Sequence, residues 1–431
     1  MTGLPGLDDG RLRDRRWLER RPLAQLLKTL NGGGEETRIV GGAVRDLVLG
    51  LPVREVDLAT TALPEDVRRR AKACGFRTIP TGLSHGTVTV IAEGAAFETT
   101  TLREDIETDG RHAKVVFGRD FGADARRRDL TINALSLDRD GFVHDPVGGL
   151  ADLAARRVRF IGDAGQRIRE DYLRILRFFR FSARFGEGPL DAEGFGAAIR
   201  NREGLDRLSR ERIRMEVFKL AVAPRAPEVV TAMADGGFFQ PIFAGMAYPG
   251  RFRRLVASSR HRSQPDDAML RMMALGVVTI EDADRLRERL RFANAEYRRA
   301  SQAARAFERL HGIERAPSLQ SLDALSVTCG REAVRDALRL AEAEAGAAPD
   351  DPDFVAAEIH LSETIEPAPP FSGKDVVARG VPPGPKVGRT LKTFQQAWLA
   401  AGMPNDSKTL NRLLDDAIGR NMAGRRDGHK D

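Results

Sequence analysis

Glu55 and Asp57 flank Val56 in a short segment, and this acidic pair is the first feature of the sequence that could carry chemistry. In a β-strand the side chains alternate between faces, so both carboxylates would project from one face and Val56 from the other. Two carboxylates side by side repel each other unless a cation lies between them. Mg²⁺ prefers carboxylate oxygens and usually shares them with substrate phosphates. The spacing therefore predicts a site for a pair of Mg²⁺ ions held by Glu55 and Asp57.

A glycine pair, Gly41-Gly42, precedes these carboxylates. It follows Ile39-Val40, which is typical of a strand end, and it precedes an amphipathic helical run that Gly50 ends. Glycines allow backbone N–H groups at a helix N-terminus to approach a triphosphate closely. Together with the acidic pair, the segment predicts a phosphate cradle that faces a metal site. The alternative is an ordinary strand–turn–helix with a solvated acidic edge.

A second charged pattern lies in RIREDYLRILRFFRF, residues 167–181. On one continuous helix, Asp171 and Arg174 would stand three residues apart and therefore next to each other. Cytosine and adenine both present an amine donor beside a ring-nitrogen acceptor, whereas guanine and uracil present the reverse. A carboxylate beside a guanidinium could therefore select C and A without a template. The alternative is a surface ion pair, which contributes little to stability.

The elements that must position these residues divide the chain into a mixed part and a helical part. Strand-like runs and turn signals recur up to about residue 160, and helical periodicity dominates from residue 164. We predict an α+β fold, with a small mixed β-sheet head followed by an elongated all-helical neck, body and tail. The expected boundaries are a helical N-terminal extension 1–35, head 36–160, neck 161–225, body 226–365 and tail 366–431. A proline-rich stretch, 366–370, marks the last of these boundaries.

Composition is consistent with this organisation. The residues are 42% hydrophobic and 30% charged, as in a globular protein. A chain of 431 residues is too long for a single core. No apolar run is long enough to span a bilayer, and no signal peptide is evident, so we expect no membrane association. Cys74 and Cys329 show no metal or redox spacing, which favours a cytoplasmic setting. The net charge of +7 is compatible with a polyanionic partner such as RNA.

The ordered series of motifs resembles the polymerase-β-type nucleotidyltransferase superfamily and, more narrowly, the class II CCA-adding enzymes and bacterial poly(A) polymerases. Many members carry D-x-D where this chain has Glu55 and Asp57. The segments that carry the resemblance are IVGGAVRDLVLGLPVREVDLAT (39–60), DARRRDLTINAL (124–135), DPVGGLAD (145–152), EDYLR (170–174), SRERIRME (209–216) and SGKDVVARGVPPGPKVG (372–388).

The resemblance implies roles for further residues. It makes Glu98 the third metal-site carboxylate, and it implies that Asn133 braces a loop or contacts ribose. It assigns 107–118 to a flexible loop, and the intact loop at 103–115 favours the complete activity, because members of the family that add only CC tend to lack part of it. The residues that it places at the nucleotide, beside Gly41, Gly42, Asp171 and Arg174, are Arg45, Arg127, Arg128, Arg177 and Arg180.

The expected function is therefore the template-independent addition of CCA to the 3′ end of tRNA from CTP and ATP, with Mg²⁺ as the cofactor. A poly(A) polymerase, or an enzyme that adds only CC or only A, is the alternative within the same enzyme class. A non-catalytic RNA-binding protein on a decayed transferase scaffold is the alternative from another class. It predicts loss of the metal carboxylates, whereas Glu55 and Asp57 both persist. An unrelated helical scaffold would leave the motif series unexplained.

Overall fold

The computed structural model describes residues 4–82, 86–105 and 115–423, and the chain forms two compact units, 1–241 and 242–431. The first unit contains all of the strands in this described part, and the second is helical. The predicted α+β class with a small mixed sheet and a long helical region is confirmed. The finer division into five segments stays a prediction. No helix among these residues is both long and apolar enough to cross a membrane.

The strands are β1 (Leu7–Asp8), β2 (Arg11–Leu12), β3 (Thr37–Val40), β4 (Asp57–Thr60), β5 (Arg77–Gly82), β6 (Thr87–Ala92), β7 (Ala95–Thr101), β8 (Arg103–Asp105), β9 (Val115–Phe117), β10 (Ser136–Leu137) and β11 (Val143–His144). Seven of them form one sheet in the order β11-β10-β3-β4-β7-β6-β5. Only β4 and β7 pair in parallel, so the sheet is mixed, as predicted.

The two predicted hairpins are confirmed. β6 and β7 pair through a turn at Glu93 and Gly94, which both have positive φ, as a tight two-residue hairpin turn requires. In β6 every second side chain is buried, so one face of the strand packs on the core. β10 and β11 pair across the predicted Asp140-Gly141 turn. A short hairpin, β1–β2, reaches this edge through a bridge between Arg11 and Phe142, a feature that the sequence did not predict.

The helices are α1 (Leu23–Leu30), α2 (Gly42–Val48), α3 (Pro64–Ala73), α4 (Phe121–Arg126), α5 (Gly149–Ala154), α6 (Ala164–Glu170), α7 (Leu173–Phe185), α8 (Ala192–Arg200), α9 (Arg210–Ala221), α10 (Ala226–Asp235), α11 (Phe239–Phe243), α12 (Pro249–His261), α13 (Ala268–Gly276), α14 (Ile280–Leu290), α15 (Asn294–Leu310), α16 (Leu319–Cys329), α17 (Arg331–Ala345), α18 (Pro352–Glu363), α19 (Gly373–Ala378), α20 (Pro385–Ala400) and α21 (Ser407–Ala423). α1 buries its predicted leucine stripe, and α7 buries the aliphatic and phenylalanine side chains that lie between its arginines.

Two predicted strand segments are wrong. Glu55 and Val56 precede β4, which begins at Asp57. β3 ends opposite Asp57 at Val40, because Gly41 turns the chain away, so the residues before Asp57 have no partner on β3. The run 158–161 was expected to be the last strand-like segment before the helical part of the chain. It forms only one isolated bridge, between Phe160 and Leu130.

Candidate active site

The glycine turn after β3 adopts a backbone conformation that only glycine tolerates easily. Gly41 has φ 72° and ψ −127°. Its N–H donates to the carbonyl oxygen of Leu135 at 3.0 Å. A Cβ atom at Gly41 would come 3.0 Å from Nη1 of Arg128. The second glycine, Gly42, is the first residue of α2. The turn therefore brings the glycine backbone close to the guanidinium of Arg128, which the resemblance also places at the nucleotide.

The acidic residues gather at the start of β4. In the parallel pairing of β4 with β7, Asp57 lies directly opposite Glu98. Protein atoms around Asp57 desolvate its carboxylate, although the side chain is open to solvent. This desolvation and the negative charges of Glu98 and Glu55 raise the pKa of Asp57, against the opposing effect of Arg128. Glu98 and Glu55 thus lie near enough to Asp57 to act on its carboxylate electrostatically.

This acidic group fits a divalent ion that is also held by a substrate. In the described ranges, no group of three or more His, Cys, Asp or Glu side chains forms a metal cluster by itself. Mg²⁺ commonly uses one or two carboxylates and takes its other ligands from water and phosphates. Desolvation is the main cause of the raised pKa of Asp57, and the negative charges of Glu98 and Glu55, which only Arg128 opposes, add to it. A cation shared with a triphosphate would compensate these charges.

Arg127 and Arg128 stand beside the glycine turn and share one carboxylate. Both guanidiniums pair with Asp124, a buried residue of α4, with Nη2 of Arg128 at 3.0 Å from Oδ2. Nη1 of Arg128 also donates to the carbonyl oxygen of Asn133. The side chains remain 27% and 25% exposed, respectively. They are held firmly and still accessible, as groups that contact a bound phosphate must be.

Arg45 differs from these two arginines because it is buried. Its Nη1 donates to Oδ1 of Asn133 at 2.6 Å, and its other donors bind Asp46. The guanidinium also lies 4.2 Å from the ring centre of Phe185 in α7. Burial lowers the pKa of Arg45. Its contacts brace α2 against α7, and direct contact with phosphate stays a prediction.

Asn133 links this brace to the neck helices. Its Nδ2 donates to Oδ1 of the buried Asp129 at 3.5 Å, and Oδ2 of Asp129 accepts from Nε of Arg177 at 2.5 Å. Burial alone would raise the pKa of Asp129, but Arg177 and the donors around it outweigh burial and lower it. A chain of polar contacts therefore runs from Arg45 through Asn133 and Asp129 to Arg177. It connects the glycine turn to α7.

Replacing Asn133 by Ala should reduce the free energy of unfolding by about 1–3 kcal/mol, because a buried Arg45 donor loses its acceptor. Denaturant unfolding of the full chain measures this change. The exposed Asn405→Ala serves as the matched control and should leave the unfolding midpoint unchanged. Equal midpoints for the two variants would contradict a bracing role for Asn133.

The predicted base-reading helix is interrupted at Asp171, the residue that was expected to accept a hydrogen bond from the base. α6 ends at Glu170 and α7 begins at Leu173, and Asp171 between them has extended dihedrals, φ −155° and ψ 108°. The predicted placement of Asp171 and Arg174 on one continuous helix is therefore wrong, and their joint role in base reading stays a prediction. Arg174 instead pairs with Glu170 and also donates to the carbonyl oxygen of Arg127 at 3.4 Å.

Asp171 has other partners. Its Oδ1 accepts from the backbone N–H of Leu173, and its Oδ2 accepts from Nη2 of Arg212 at 2.7 Å. Arg212 lies in α9, and its contact with Asp171 was not predicted. The motif SRERIRME was the only sequence signal for it, and Ser209 of this motif does cap α9 as expected. Arg180 pairs in the same way with the buried Glu216 at 2.5 Å.

Most of the predicted site residues thus form one connected set within the first unit. Arg128 acts electrostatically on Asp57 and touches the glycine turn, and the neighbouring Arg127 contacts Arg174. The flexible loop, predicted at 107–118, lies largely outside the described residues. The site combines acidic residues on two central strands of the sheet with a glycine turn and several arginines. This combination defines the class of the nucleotidyltransferase head, which is followed here by helices.

Comparison with known proteins agrees with this class. The family model described as "Poly A polymerase head domain" matches residues 37–159. The mitochondrial CCA tRNA nucleotidyltransferase 1 of Danio rerio is 40% identical over 266 residues, 61% of each chain. For the Mus musculus relative of that name, identity is 46% over 47% of each chain. The chain thus spans about half the length of these mitochondrial relatives.

Bacterial relatives match over almost the whole chain. The CCA-adding enzyme of Limosilactobacillus fermentum is 31% identical over 412 residues, 92% of this chain and 97% of that protein. The crystal structure of the Bacillus stearothermophilus CCA-adding enzyme in complex with CTP superposes with a TM-score of 0.66. It is 27% identical and covers 94% of this chain and 99% of that chain. The chain therefore belongs to the family of CCA-adding enzymes.

Proposed function

We propose that this protein adds or repairs the CCA 3′ end of tRNA, using CTP and ATP and no nucleic-acid template. The observation that carries the proposal is the connected set of acidic, glycine and arginine residues described above, in which Asp57 faces Glu98 and Arg174 contacts Arg127. Relatives named CCA-adding enzymes that match over nearly the full chain support the same function. Nucleotidyltransferases of this family generally use a divalent metal, and we propose Mg²⁺ here.

In the proposed reaction, Glu55 and Asp57 hold the metal ions, with Glu98 beside them. When bound, Mg²⁺ supplies charge neutralisation for the triphosphate and activation of the RNA 3′-hydroxyl. The exposed faces of Arg127 and Arg128 bind phosphate oxygens, since guanidiniums pair well with them. The N–H of Gly41 is already bonded to Leu135, so the glycine turn would contribute through the backbone N–H of Gly42 at the start of α2. These contacts would place the α-phosphate in line with the attacking hydroxyl.

Base selection would take place at the start of α7. Asp171 is held by Leu173 and Arg212 through one hydrogen bond to each carboxylate oxygen, which leaves further lone pairs available. Arg174 lies beside it and supplies guanidinium donors. An amine of cytosine or adenine can donate to Asp171, whereas the carbonyl of uracil or guanine would face a carboxylate. The mismatched bases would leave buried polar groups unpaired.

The chain contains two free thiols, Cys74 and Cys329, and neither forms a disulfide. Reduced cysteines are usual in a cytoplasmic protein. We propose the cytoplasm as the place of the activity, where tRNA and both nucleotides are available.

A direct test is incubation with a tRNA that lacks its terminal triplet, with labelled CTP and ATP, followed by measurement of product length. Addition of exactly three nucleotides in the order C, C, A is the expected result. Growth of a long adenylate tail would identify a poly(A) polymerase, and a product that stops after CC or accepts only A would identify a partial enzyme. Binding of tRNA without any extension would favour the non-catalytic alternative.

A further inference from the structure

Phe181 in α7 is surrounded by arginines from two helices. The guanidinium carbons of Arg180, Arg45 and Arg177 lie over its ring, at 4.2, 5.2 and 5.3 Å from the ring centre. Each distance is within the range in which a cation is attracted to the electron-rich face of an aromatic ring. Other rings in the described part of the chain that have a guanidinium over them have one or two. Phe181 is only 5% exposed, so water competes little for these contacts.

A second ring extends this arrangement. Phe185 lies one turn further along α7 and stacks on Phe181, with 5.9 Å between the ring centres and 19° between the ring planes. Arg45 lies over this second ring as well, at 4.2 Å. We call the two rings with Arg45, Arg177 and Arg180 the arginine–phenylalanine cluster. It joins α2, which follows the glycine turn, to α7.

The carboxylates that pair with the two α7 arginines bind only one edge of each guanidinium. Nε of Arg177 donates to Asp129, and Nε of Arg180 donates to Glu216. Among the described residues, the terminal nitrogens Nη1 and Nη2 of both arginines make no hydrogen bond. These nitrogens form the fork with which a guanidinium binds phosphate oxygens. The side chains are 32% and 12% exposed, respectively, so part of each remains accessible.

Positive charges this close to one another repel. Burial lowers the pKa of Arg180, and the charge of Arg177 lowers it further, whereas Glu216 opposes both. Burial also lowers the pKa of Arg45, and Arg180 is one of the charges that add to this effect. The ring of Phe181 attracts all three guanidiniums without occupying their hydrogen-bonding edges. A guanidinium held against a ring and bound at Nε has few other orientations, so it loses less entropy when a ligand binds.

We propose that Phe181 is a positioning residue, which holds the free forks of Arg177 and Arg180 in the orientation that binds the triphosphate of the incoming nucleotide. This inference rests on the proposed function and deepens it, because it makes nucleotide affinity depend on a buried apolar residue. The alternative is that the ring only fills space in the core. Space filling depends on the size and shape of the side chain, whereas attraction of cations depends on the electron density of the ring.

The test replaces Phe181 in the full chain by trifluorophenylalanine, which has nearly the same shape but an electron-poor ring. Phe178 in the same helix is the matched control. It is also buried, and in the described residues its ring lies beside those of Phe160 and Phe179 rather than beside guanidiniums. Phe181→Leu and Phe178→Leu form a second pair, in which the ring is removed altogether. Thermal unfolding verifies that all four variants fold.

Two quantities are measured for each variant. Calorimetry with Mg²⁺ present gives the dissociation constants of CTP and ATP, and single-turnover extension of a shortened tRNA gives the rate at saturating nucleotide. Fluorination at Phe181 should weaken the binding of both nucleotides by about 3- to 10-fold, the effect of weakening cation–π contacts in a buried site. The rate at saturation should change by less than about 2-fold, since the ring contacts only groups that bind the nucleotide.

The Phe178 variants should bind both nucleotides as the wild type does, and the two Leu variants should show the same difference between the positions. Unchanged binding in the Phe181 variants, or equal weakening at both positions, would overturn the inference. A wild type that extends tRNA, with nucleotide binding that fluorination leaves unchanged, would refute the role of Phe181 alone. A wild type that never extends tRNA but loses nucleotide affinity on fluorination would refute the proposed function and leave the role of the ring in place. Failure of the wild type to bind either nucleotide would refute both.

Discussion

Replacing Asp57 by Asn should reduce nucleotide addition by about 1,000-fold or more, since a metal ligand contributes several kcal/mol to transition-state stabilisation. Asp57 lies opposite Glu98 in the register of β4 and β7, and the charge of Glu55 also acts on it. The amide of Asn keeps the shape of the side chain but removes the charge that attracts the cation. Single-turnover extension of a shortened tRNA measures the loss. Asp140→Asn, in the exposed β10–β11 turn of the same unit, is the matched control.

The stability of the same variant separates a chemical role from a structural one. Burial and the charges of Glu98 and Glu55 raise the pKa of Asp57, so folding disfavours its ionised form. A raised carboxyl pKa lowers stability as the pH rises above the unfolded value, so at neutral pH this carboxylate costs stability. Asp57→Asn should therefore unfold at the same temperature as the wild type or higher. Added Mg²⁺ with CTP should stabilise the wild type more than the variant. Full activity, or a large loss of stability, would refute the metal assignment.

Local periodicity was enough to predict much of the fold. α1 and α7 each follow an apolar pattern with the period of a helix, and both bury it, although α7 begins only at Leu173, after the break at Asp171. The turn at Gly94 and the alternation of β6 fixed one hairpin in the same way. These elements depend on residues close in sequence, which is the information that a single sequence contains directly. The placement of Glu98 beside Asp57 came from the family resemblance, and the strand register agrees with it.

The wrong predictions have a common cause: at these positions the structure depends on residues that are distant in sequence. β4 starts at Asp57 because its partner β3 ends at Val40, and no local signal at Glu55 indicates this. The burial of Arg45 against Asn133, 88 residues away in sequence, also has no local signal, and its contact with phosphate stays a prediction. Asp171 has an extended rather than a helical backbone, and its partner Arg212 is 41 residues further along the chain. Tertiary contacts of this kind override local propensity.

Replacing Asp171 by Ala should lower the preference for CTP and ATP over UTP and GTP by about 10- to 100-fold, the effect of losing one charged hydrogen bond at a base. The ratio of kcat/KM for CTP and UTP measures the change. Glu203→Ala, an exposed acidic residue of the same unit, is the matched control. The rate with CTP alone would fall as well, so the ratio carries the information about selection.

Arg212 supplies the comparison that separates base reading from anchoring. The carboxylate of Asp171 binds Arg212 at 2.7 Å, so an ion pair that only joins α9 to the start of α7 would also be lost in Asp171→Ala. If the ion pair is only an anchor, Asp171→Ala and Arg212→Ala should lose the same amount of stability. The ratio of kcat/KM for CTP and UTP should then be unchanged in both variants. A carboxylate that reads the base gives a different result. Asp171→Ala then abolishes most of the selection, whereas Arg212→Ala keeps the acceptor, loses only its orientation and retains part of the preference. Identical ratios in the wild type and Asp171→Ala would remove this residue from base selection.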